Sequence, residues 1–175
     1  MQKFDLLASE TVYKGRAFTI RRDLLRTPSG AETRFDIIEH HGSVILIPLD
    51  EAGNLIFVRQ YRHAASVDLL ELPAGTLEAG EAPADCARRE LREETGMNAR
   101  EITALGSFYL APGYSTELMH VYLARGLFPD PLEADADEFL QNEIIPAARA
   151  LEMSLNGDLP DAKTLAALLL ARSHF

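Results

Sequence analysis

Residues 71–97, with the sequence ELPAGTLEAGEAPADCARRELREETGM, carry the clearest structural signal in the chain. Pro83 suits the first turn of a helix, where its missing N–H costs no hydrogen bond. Helix-forming residues follow it, and Gly96 is the residue type that most often ends a helix in the left-handed conformation. The sequence therefore predicts one helix from residue 83 to residue 95, preceded by a loop that contains glycine and proline.

Three glutamates of this predicted helix share one face. Glu90, Glu93 and Glu94 are spaced i, i+3 and i+4, so they cover an arc of roughly 100°. Like charges at this spacing destabilise a helix by about 0.2–0.5 kcal/mol per pair, unless a cation neutralises them. Carboxylate oxygens suit Mg²⁺ or Mn²⁺. The alternative is a solvated face on which arginines pair with the glutamates, namely Arg88, Arg89 and Arg92. The adjoining apolar face, which can pack on a sheet, consists of Ala84, Ala87 and Leu91.

The whole stretch resembles the Nudix box, whose pattern is G-x5-E-x7-R-E-U-x-E-E-x-G-U, where U is a bulky apolar residue. Every fixed position is matched, by Gly75, Glu81, Arg89, Glu90, Leu91, Glu93, Glu94, Gly96 and Met97. The chain is therefore identified as a member of the Nudix hydrolases, which cleave nucleoside diphosphates linked to another group and use Mg²⁺ or Mn²⁺. The resemblance implies an α/β/α sandwich around a mixed sheet, in which the box forms a loop, a helix and a second loop.

The resemblance also implies roles for the matched residues. Glu90 and Glu94 resemble the family's metal ligands, together with the backbone carbonyl of Ala74. Glu93 resembles a further ligand or the group that transfers a proton. The residues that would orient the loop and the glutamates are Gly75, Glu81 and Arg89.

Residues outside the box resemble the ADP-ribose pyrophosphatase branch of the family. They are Arg59–Arg62 (RQYR), Glu71–Gly75 (ELPAG), Pro112 within LAPGYSTE, and Asp161–Thr164 (DAKT). This resemblance implies hydrolysis of ADP-ribose to AMP and ribose 5-phosphate. Another substrate, such as GDP-mannose or NADH, is an alternative because the box does not identify the leaving group. A non-catalytic ADP-ribose sensor is a second alternative, which the complete set of box glutamates disfavours.

Four residues outside the box are candidates for substrate binding. Arg62 resembles the arginine that this branch places near the substrate phosphates or the terminal ribose, and Arg34 is a further candidate on the N-terminal strands. Arg62 could instead be a surface arginine at the end of a strand. Pro112 and Gly113 would shape the adenosine side, or could form an ordinary turn.

The general base has two candidates. In many Nudix enzymes it is an acidic residue on a loop after the last long strand, which here corresponds to the acidic segment 133–138 and favours Glu138. In other relatives a box glutamate performs this step, which would make Glu93 the base. Both residues are therefore expected to contribute, with Glu93 the larger.

Composition excludes several classes of function. The 175 residues include 17 Lys and Arg against 27 Asp and Glu, a net charge of −10, which disfavours binding to a nucleic-acid backbone. No apolar run approaches the ~20 residues of a membrane-spanning helix. The single cysteine, Cys86, excludes an intrachain disulfide. We expect a cytoplasmic protein whose partner is a small nucleoside diphosphate sugar.

Patterning elsewhere predicts a mixed α/β protein. Strands are expected at residues 3–13, 17–26, 32–40, 43–49, 54–62, 100–110, 116–125 and 141–146, and helices at 147–155 and 161–172. Residues 70–83 and 128–138 are expected to be irregular. Residues 1–41 should form an N-terminal antiparallel β extension, and residues 42–175 the catalytic domain. In the resembled branch the extension exchanges between two subunits, which implies a homodimer.

Overall fold

Strands β1 to β3 form an antiparallel sheet in the order β1-β2-β3 in the computed structural model, which describes residues 3–16, 18–133 and 139–175. Their bounds are β1 (Asp5–Lys14), β2 (Thr19–Arg26) and β3 (Glu32–Glu39). This sheet belongs to a first unit, Met1–Gly42 with Tyr109–Leu118. β1 is an edge strand, and all ten of its residues are exposed. The three strands predicted in this region are confirmed to within two residues at each end.

The second unit, Ser43–Phe108 with Met119–Phe175, is built on a seven-stranded mixed sheet. Its main path runs β10-β5-β4-β9-β8, while β6 pairs with β5 and β7 pairs with β4. The β4–β9 pair is parallel, and β4 is antiparallel to β5 and β7. The bounds are β4 (Ser43–Leu49), β5 (Asn54–Arg62), β6 (Val67–Glu71), β7 (Ala74–Thr76), β8 (Met97–Tyr109), β9 (Leu118–Pro129) and β10 (Gln141–Pro146).

Three helices pack on this unit: α1 (Pro83–Thr95), α2 (Ala147–Asn156) and α3 (Ala162–Ala171), the last followed by a 3₁₀ turn, Arg172–His174. β4 is the centre of the core, because Val44 and Leu46 pack with Leu91 of α1. Successive strand residues point to opposite faces, so Ile45 and Ile47, which are also fully buried, fill the other face. Both faces of β4 are thus covered, and the mixed α/β fold that the sequence predicts is confirmed.

The structure corrects several predicted boundaries. The segment expected to be irregular at residues 70–83 contains the end of β6 and all of β7. β8 begins at Met97 rather than residue 100, and β9 continues to Pro129, into the segment expected to be an acidic loop. Ala84, assigned to the apolar face of the box helix, is exposed, because α1 turns Cys86 and Ala87 inward instead. In the described ranges no helix is both long and apolar enough to cross a membrane.

Candidate active site

Helix α1 places the box glutamates at its inner edge. The helix begins at Pro83 and ends at Thr95, and Gly96 follows with φ 71° while its N–H donates to the carbonyl of Arg92, as the sequence predicts. The Glu90 side chain is 9% exposed and Glu94 is also buried, whereas the Glu93 side chain is 21% exposed. Buried carboxylates are costly unless they are paired or bound to a cation. Two of the three glutamates therefore do not belong to a solvated helix face.

Arg89 is a positively charged side chain that lies beside these glutamates. Its Nη1 donates to Glu90 Oε1 at 2.7 Å and to Glu93 Oε2 at 2.9 Å, while its Nε and Nη2 each donate to Glu81 at 2.9 Å. The same Nη2 donates to the carbonyl of Thr76 at 3.1 Å. These bonds from Arg89 lower the pKa of Glu81 from 4.5 to about 2. One guanidinium therefore connects α1, β7 and the loop before the helix.

Arg88 and Arg92 bond elsewhere. Arg88 Nη1 donates to the carbonyl of Ala99 at 3.0 Å, and Arg92 Nε donates to the carbonyl of Asp130 at 3.0 Å. Of the three arginines offered as counter-charges for the glutamates, the structure places Arg89 beside them and uses the other two to hold the ends of neighbouring strands.

The backbone of strand β7 lies against the carboxylates of Glu90 and Glu94. The N–H of Ala74 donates to Glu94 Oε2 at 2.9 Å. A Cβ atom at Gly75 would lie 1.9 Å from the Glu90 carboxyl carbon, so only glycine permits this approach. Gly75 is therefore required by the closeness of Glu90 rather than by an unusual backbone angle.

The donor set fits a hard divalent cation. Among the residues that the structure describes, no three His, Cys, Asp or Glu side chains form a ready metal-binding group. Mg²⁺, however, is usually held by one or two carboxylates and completed by water and substrate phosphates. The two buried carboxylates of Glu90 and Glu94, with the backbone of Ala74 beside them, meet that requirement. The carbonyl of Ala74 as a third ligand stays a prediction.

A second charged cluster lies where β5, β6 and α3 meet. Glu71 is 1% exposed and accepts from Arg62 Nε at 2.8 Å and Arg62 Nη2 at 2.6 Å. Lys163 Nζ also donates to Glu71 and lies 3.0 Å from Asp161 Oδ1. Burial raises the pKa of Glu71, but the Arg62 hydrogen bonds and the charge of Lys163 outweigh it and lower the pKa overall. Glu71 is therefore an ionised, buried carboxylate.

Arg62, a predicted substrate residue, thus has a structural partner that the sequence does not reveal. Its guanidinium is tied to Glu71, while its side chain is still 38% exposed. Glu71 and Lys163 are functional candidates that the sequence analysis did not single out. They appeared there only within the motifs ELPAG and DAKT, and no local periodicity connects two positions so far apart.

Three other predicted residues lie in the first unit. Arg34 is on β3, opposite Leu24, and lines a small hollow of about 230 Å³. Pro112 and Gly113 lie in the turn between β8 and β9, where the N–H groups of Tyr114 and Ser115 donate to the carbonyl of Ala111. Glu138 lies outside the described residues.

The first unit also contains a cleft that the sequence analysis did not predict. Its volume is about 440 Å³, and the connection between β1 and β2 supplies cationic and aromatic side chains to it. The lining residues are Lys14, Gly15, Arg16, Phe18, Thr19, Glu39, His40, His41 and Thr116. His40 forms three hydrogen bonds: its N–H donates to Thr116 Oγ1, its carbonyl accepts from the same hydroxyl, and its Nδ1 accepts from the N–H of Gly42.

Comparison with known proteins identifies relatives over nearly the whole chain. The family model described as the NUDIX domain matches residues 39–168. The chain is 39% identical over 171 residues to an ADP-ribose pyrophosphatase of Mycobacterium tuberculosis (strain ATCC 25618 / H37Rv), covering 95% of this chain and 82% of the relative. It is 34% identical over 164 residues to an ADP-ribose pyrophosphatase of Bacillus subtilis (strain 168), covering 93% and 89%.

Two further similarities bear on substrate and fold. A GDP-mannose pyrophosphatase of Citrobacter koseri (strain ATCC BAA-895 / CDC 4225-83 / SGSC4696) is 34% identical over 158 residues, covering 79% of this chain and 80% of the relative. A crystal structure of an ADP compounds hydrolase has a TM-score of 0.88 at 29% identity, covering 99% of this chain and 94% of that chain.

Proposed function

The chain belongs to the Nudix family and is a pyrophosphohydrolase, and we propose that it hydrolyses the pyrophosphate bond of ADP-ribose to AMP and ribose 5-phosphate in a reaction that needs Mg²⁺ or Mn²⁺. The observation that carries the chemistry is the pair of buried carboxylates, Glu90 and Glu94, packed against the backbone of Ala74 and Gly75. The observation that supports the substrate is the similarity to two ADP-ribose pyrophosphatases.

Each box residue has a task in this proposal. Glu90 and Glu94 hold the cation, and Arg89 fixes the direction of the Glu90 and Glu93 carboxylates. A bound divalent ion neutralises the phosphates and lowers the pKa of a water molecule. Glu93 is the more exposed of the three glutamates and is therefore the one best able to take a proton from the attacking water. Glu138 stays a second candidate for this step.

Local positive charge bears on the substrate part of the proposal. A chain with a net charge of −10 repels an anionic substrate unless local cations attract it. Arg62 supplies such a cation in the second unit, because its side chain is 38% exposed. Arg62, Arg34, Pro112 and Gly113 stay candidates for substrate contacts.

GDP-mannose is the second candidate substrate, because a GDP-mannose pyrophosphatase is among the relatives. The same pair of buried carboxylates serves either substrate, so the two candidates differ in the nucleoside and sugar contacts. A sensor that binds without cleaving is disfavoured, because all four box glutamates are present. Glu81, Glu90 and Glu93 bond to Arg89, and Glu94 accepts from the N–H of Ala74.

Assembly into a homodimer through the N-terminal strands is a further part of the proposal. The ten exposed residues of β1 include large apolar side chains that water disfavours. They are Leu6, Leu7, Val12 and Tyr13. A partner subunit would cover this edge. We also keep the prediction that the protein works in the cytoplasm.

A panel of substrates tests the proposed function. The wild type is incubated with ADP-ribose, GDP-mannose, NADH and nucleoside triphosphates, each with Mg²⁺ and with EDTA. We expect the highest kcat/KM for ADP-ribose, AMP as a product, and no turnover in EDTA. Glu94→Gln should lower kcat by at least about 100-fold, because the amide has lost the charge that holds the cation.

Asp85→Asn is the matched control for that variant, since it removes an exposed carboxylate of the same helix. It should retain wild-type turnover. A higher kcat/KM for GDP-mannose would move the substrate assignment to the second candidate. Full turnover by Glu94→Gln, or turnover in EDTA, would contradict the metal-dependent mechanism.

A further inference from the structure

We propose that Thr164, in the first turn of α3, is a positioning residue for the metal-binding segment, because its hydroxyl fixes the backbone of Leu72 and thereby sets Ala74 and Gly75 against Glu90 and Glu94. The inference rests on the proposed function, since it concerns the same cation site. It assigns a task to a helix that contributes no box residue.

The orientation of the Thr164 hydroxyl is determined by its two partners. Thr164 is fully buried. Its Oγ1 donates to Asp161 Oδ2 at 2.6 Å and accepts from the N–H of Leu72 at 2.9 Å. A hydroxyl has one proton, and an ionised carboxylate can only accept, so the proton goes to Asp161 and a lone pair faces Leu72. Asp161 also caps α3 by accepting from the N–H of Thr164 at 3.0 Å.

Each of three successive residues, Leu72, Pro73 and Ala74, forms a hydrogen bond with a different element. Leu72 is bonded to α3 through Thr164, and the carbonyl of Pro73 accepts from Leu46 of β4 at 2.8 Å. The N–H of Ala74 then donates to Glu94 of α1 at 2.9 Å. Pro73 has a fixed φ and leaves the link little freedom to absorb a shift. A displacement at Leu72 is therefore transmitted to Ala74, two residues away.

A second bond links the same turn of α3 to the same segment. Lys163 bridges Asp161 and Glu71, so α3 holds two consecutive residues, Glu71 by charge and Leu72 by a hydroxyl. Buried ion pairs contribute little net stability but can select one arrangement of neighbouring elements. We infer that this pair sets the register of α3 relative to β6.

The test compares variants of Thr164 by Mn²⁺ binding without substrate and by turnover of ADP-ribose. Thr164→Val keeps the side-chain shape and loses both hydrogen bonds, whereas Thr164→Ser keeps the hydroxyl. Loss of a residue that supports metal ligands typically costs about 10- to 100-fold in metal affinity or activity. We expect Thr164→Val to weaken Mn²⁺ binding, measured by EPR of the free ion, by at least about tenfold. It should also lower kcat with KM changed less than about threefold, and Thr164→Ser should restore both.

Leu168→Ala is the matched control, because Leu168 is a fully buried residue of the same helix that takes no part in the hydrogen bonds of the Thr164 side chain, and its truncation destabilises the protein. It should lower the melting temperature and keep wild-type Mn²⁺ affinity. Lys163→Met, which removes the bond to Glu71, is a second variant expected to weaken Mn²⁺ binding.

Wild-type Mn²⁺ affinity in Thr164→Val would overturn the inference, whatever the affinity of Lys163→Met. Equal loss of Mn²⁺ affinity in Leu168→Ala and Thr164→Val at the same melting temperature would also overturn it, because the effect would then follow general destabilisation. A wild type that binds Mn²⁺ but cleaves none of the nucleotides contradicts the proposed function alone, and the Mn²⁺ series still decides the role of Thr164.

Discussion

Arg89 illustrates how single residues balance charge at this site. Its guanidinium bonds three carboxylates, those of Glu81, Glu90 and Glu93, and a fourth, Glu94, lies on the same helix face. One guanidinium shared among three carboxylates leaves a negative surplus around Arg89, while the charge of Arg62 also acts on Glu94. A divalent cation offsets such a surplus, which explains why a helix can tolerate like charges at neighbouring positions.

The two candidate bases can be separated by single substitutions. If Glu93 takes the proton, Glu93→Gln should lower kcat by about 100-fold or more, because general-base catalysis contributes typically 10²- to 10⁴-fold. Glu138→Gln should then lower kcat only a few-fold, and KM should be nearly unchanged in both variants. The measurement is kcat and KM for ADP-ribose at saturating Mg²⁺. A Glu93→Gln enzyme within about threefold of wild type would reverse the assignment.

Among individual residues, the sequence predicts those of the box but not the partners of Glu71. Glu81, Arg89 and Glu90 are close in the chain, so the spacing of the box motif is enough to indicate that they contact one another. The partners of Glu71 are Arg62 and Lys163, which lie on other elements. Which of several lysines or arginines meets a buried carboxylate depends on how α3 packs. No pattern in one sequence contains that information.

Among the elements, the helices and most strands could be predicted, whereas the two shortest strands, β6 and β7, could not. α1 is confirmed from Pro83 to Thr95 because proline, helix formers and a final glycine all agree. β7 has three residues and follows Pro73, so it has no periodicity of its own. It exists because Ala74–Thr76 pairs with β4. Tertiary pairing thus creates the element that presents Ala74 and Gly75.

The loop before α1 should respond to acid in a defined direction. Arg89 holds the pKa of Glu81 at about 2 in the folded protein against an ordinary value of 4.5. A carboxyl with a lowered folded-state pKa stabilises the fold fully above its unfolded pKa and loses this effect as the pH falls. We expect the wild type to be more stable than Glu81→Gln at pH 7 and at pH 5, with the difference shrinking between about pH 4.5 and pH 2.

Urea unfolding of both proteins at pH 7, 5, 4 and 3 gives that difference directly. Asp85→Asn serves as the control, because it removes an exposed carboxylate of α1 that makes no part of the Arg89 cluster. A difference between wild type and Glu81→Gln that stays constant down to pH 3 would show that the Arg89 bond does not hold the Glu81 charge.

For the whole molecule, the exposed edge of the first unit bears on the number of subunits. We expect a mass of about twice 19.3 kDa by light scattering. Leu6→Arg puts a charge on the exposed face of β1, where Leu6 is 60% exposed, and should give a monomer. Leu155→Arg, at an exposed position of α2, should leave the mass unchanged. A monomeric wild type, or a Leu6→Arg dimer of unchanged affinity, would contradict assembly through β1.

Point substitution is preferable here to deletion of the N-terminal strands. Residues Tyr109–Leu118 belong to the first unit although they lie far along the chain. Ile38 bonds to them twice, donating its N–H to Tyr114 and accepting from Thr116. A protein without β1 to β3 would lose these partners and leave Tyr114 and Thr116 without their backbone bonds to Ile38. Its behaviour would then report damage to the fold as well as loss of the dimer.

The parallel pairing of β4 with β9 has a consequence for synthesis on the ribosome. Ser43 lies opposite Met119 and Leu49 opposite Arg125, so α1 and all of β8 are translated between the two partners. A nascent chain that ends before residue 118 carries the complete box without the strand that completes the centre of the sheet. Until β9 leaves the exit tunnel, Val44 and its apolar neighbours have one unpaired edge that chaperones can bind. The centre of the sheet is therefore completed only after the box and β8 have been translated.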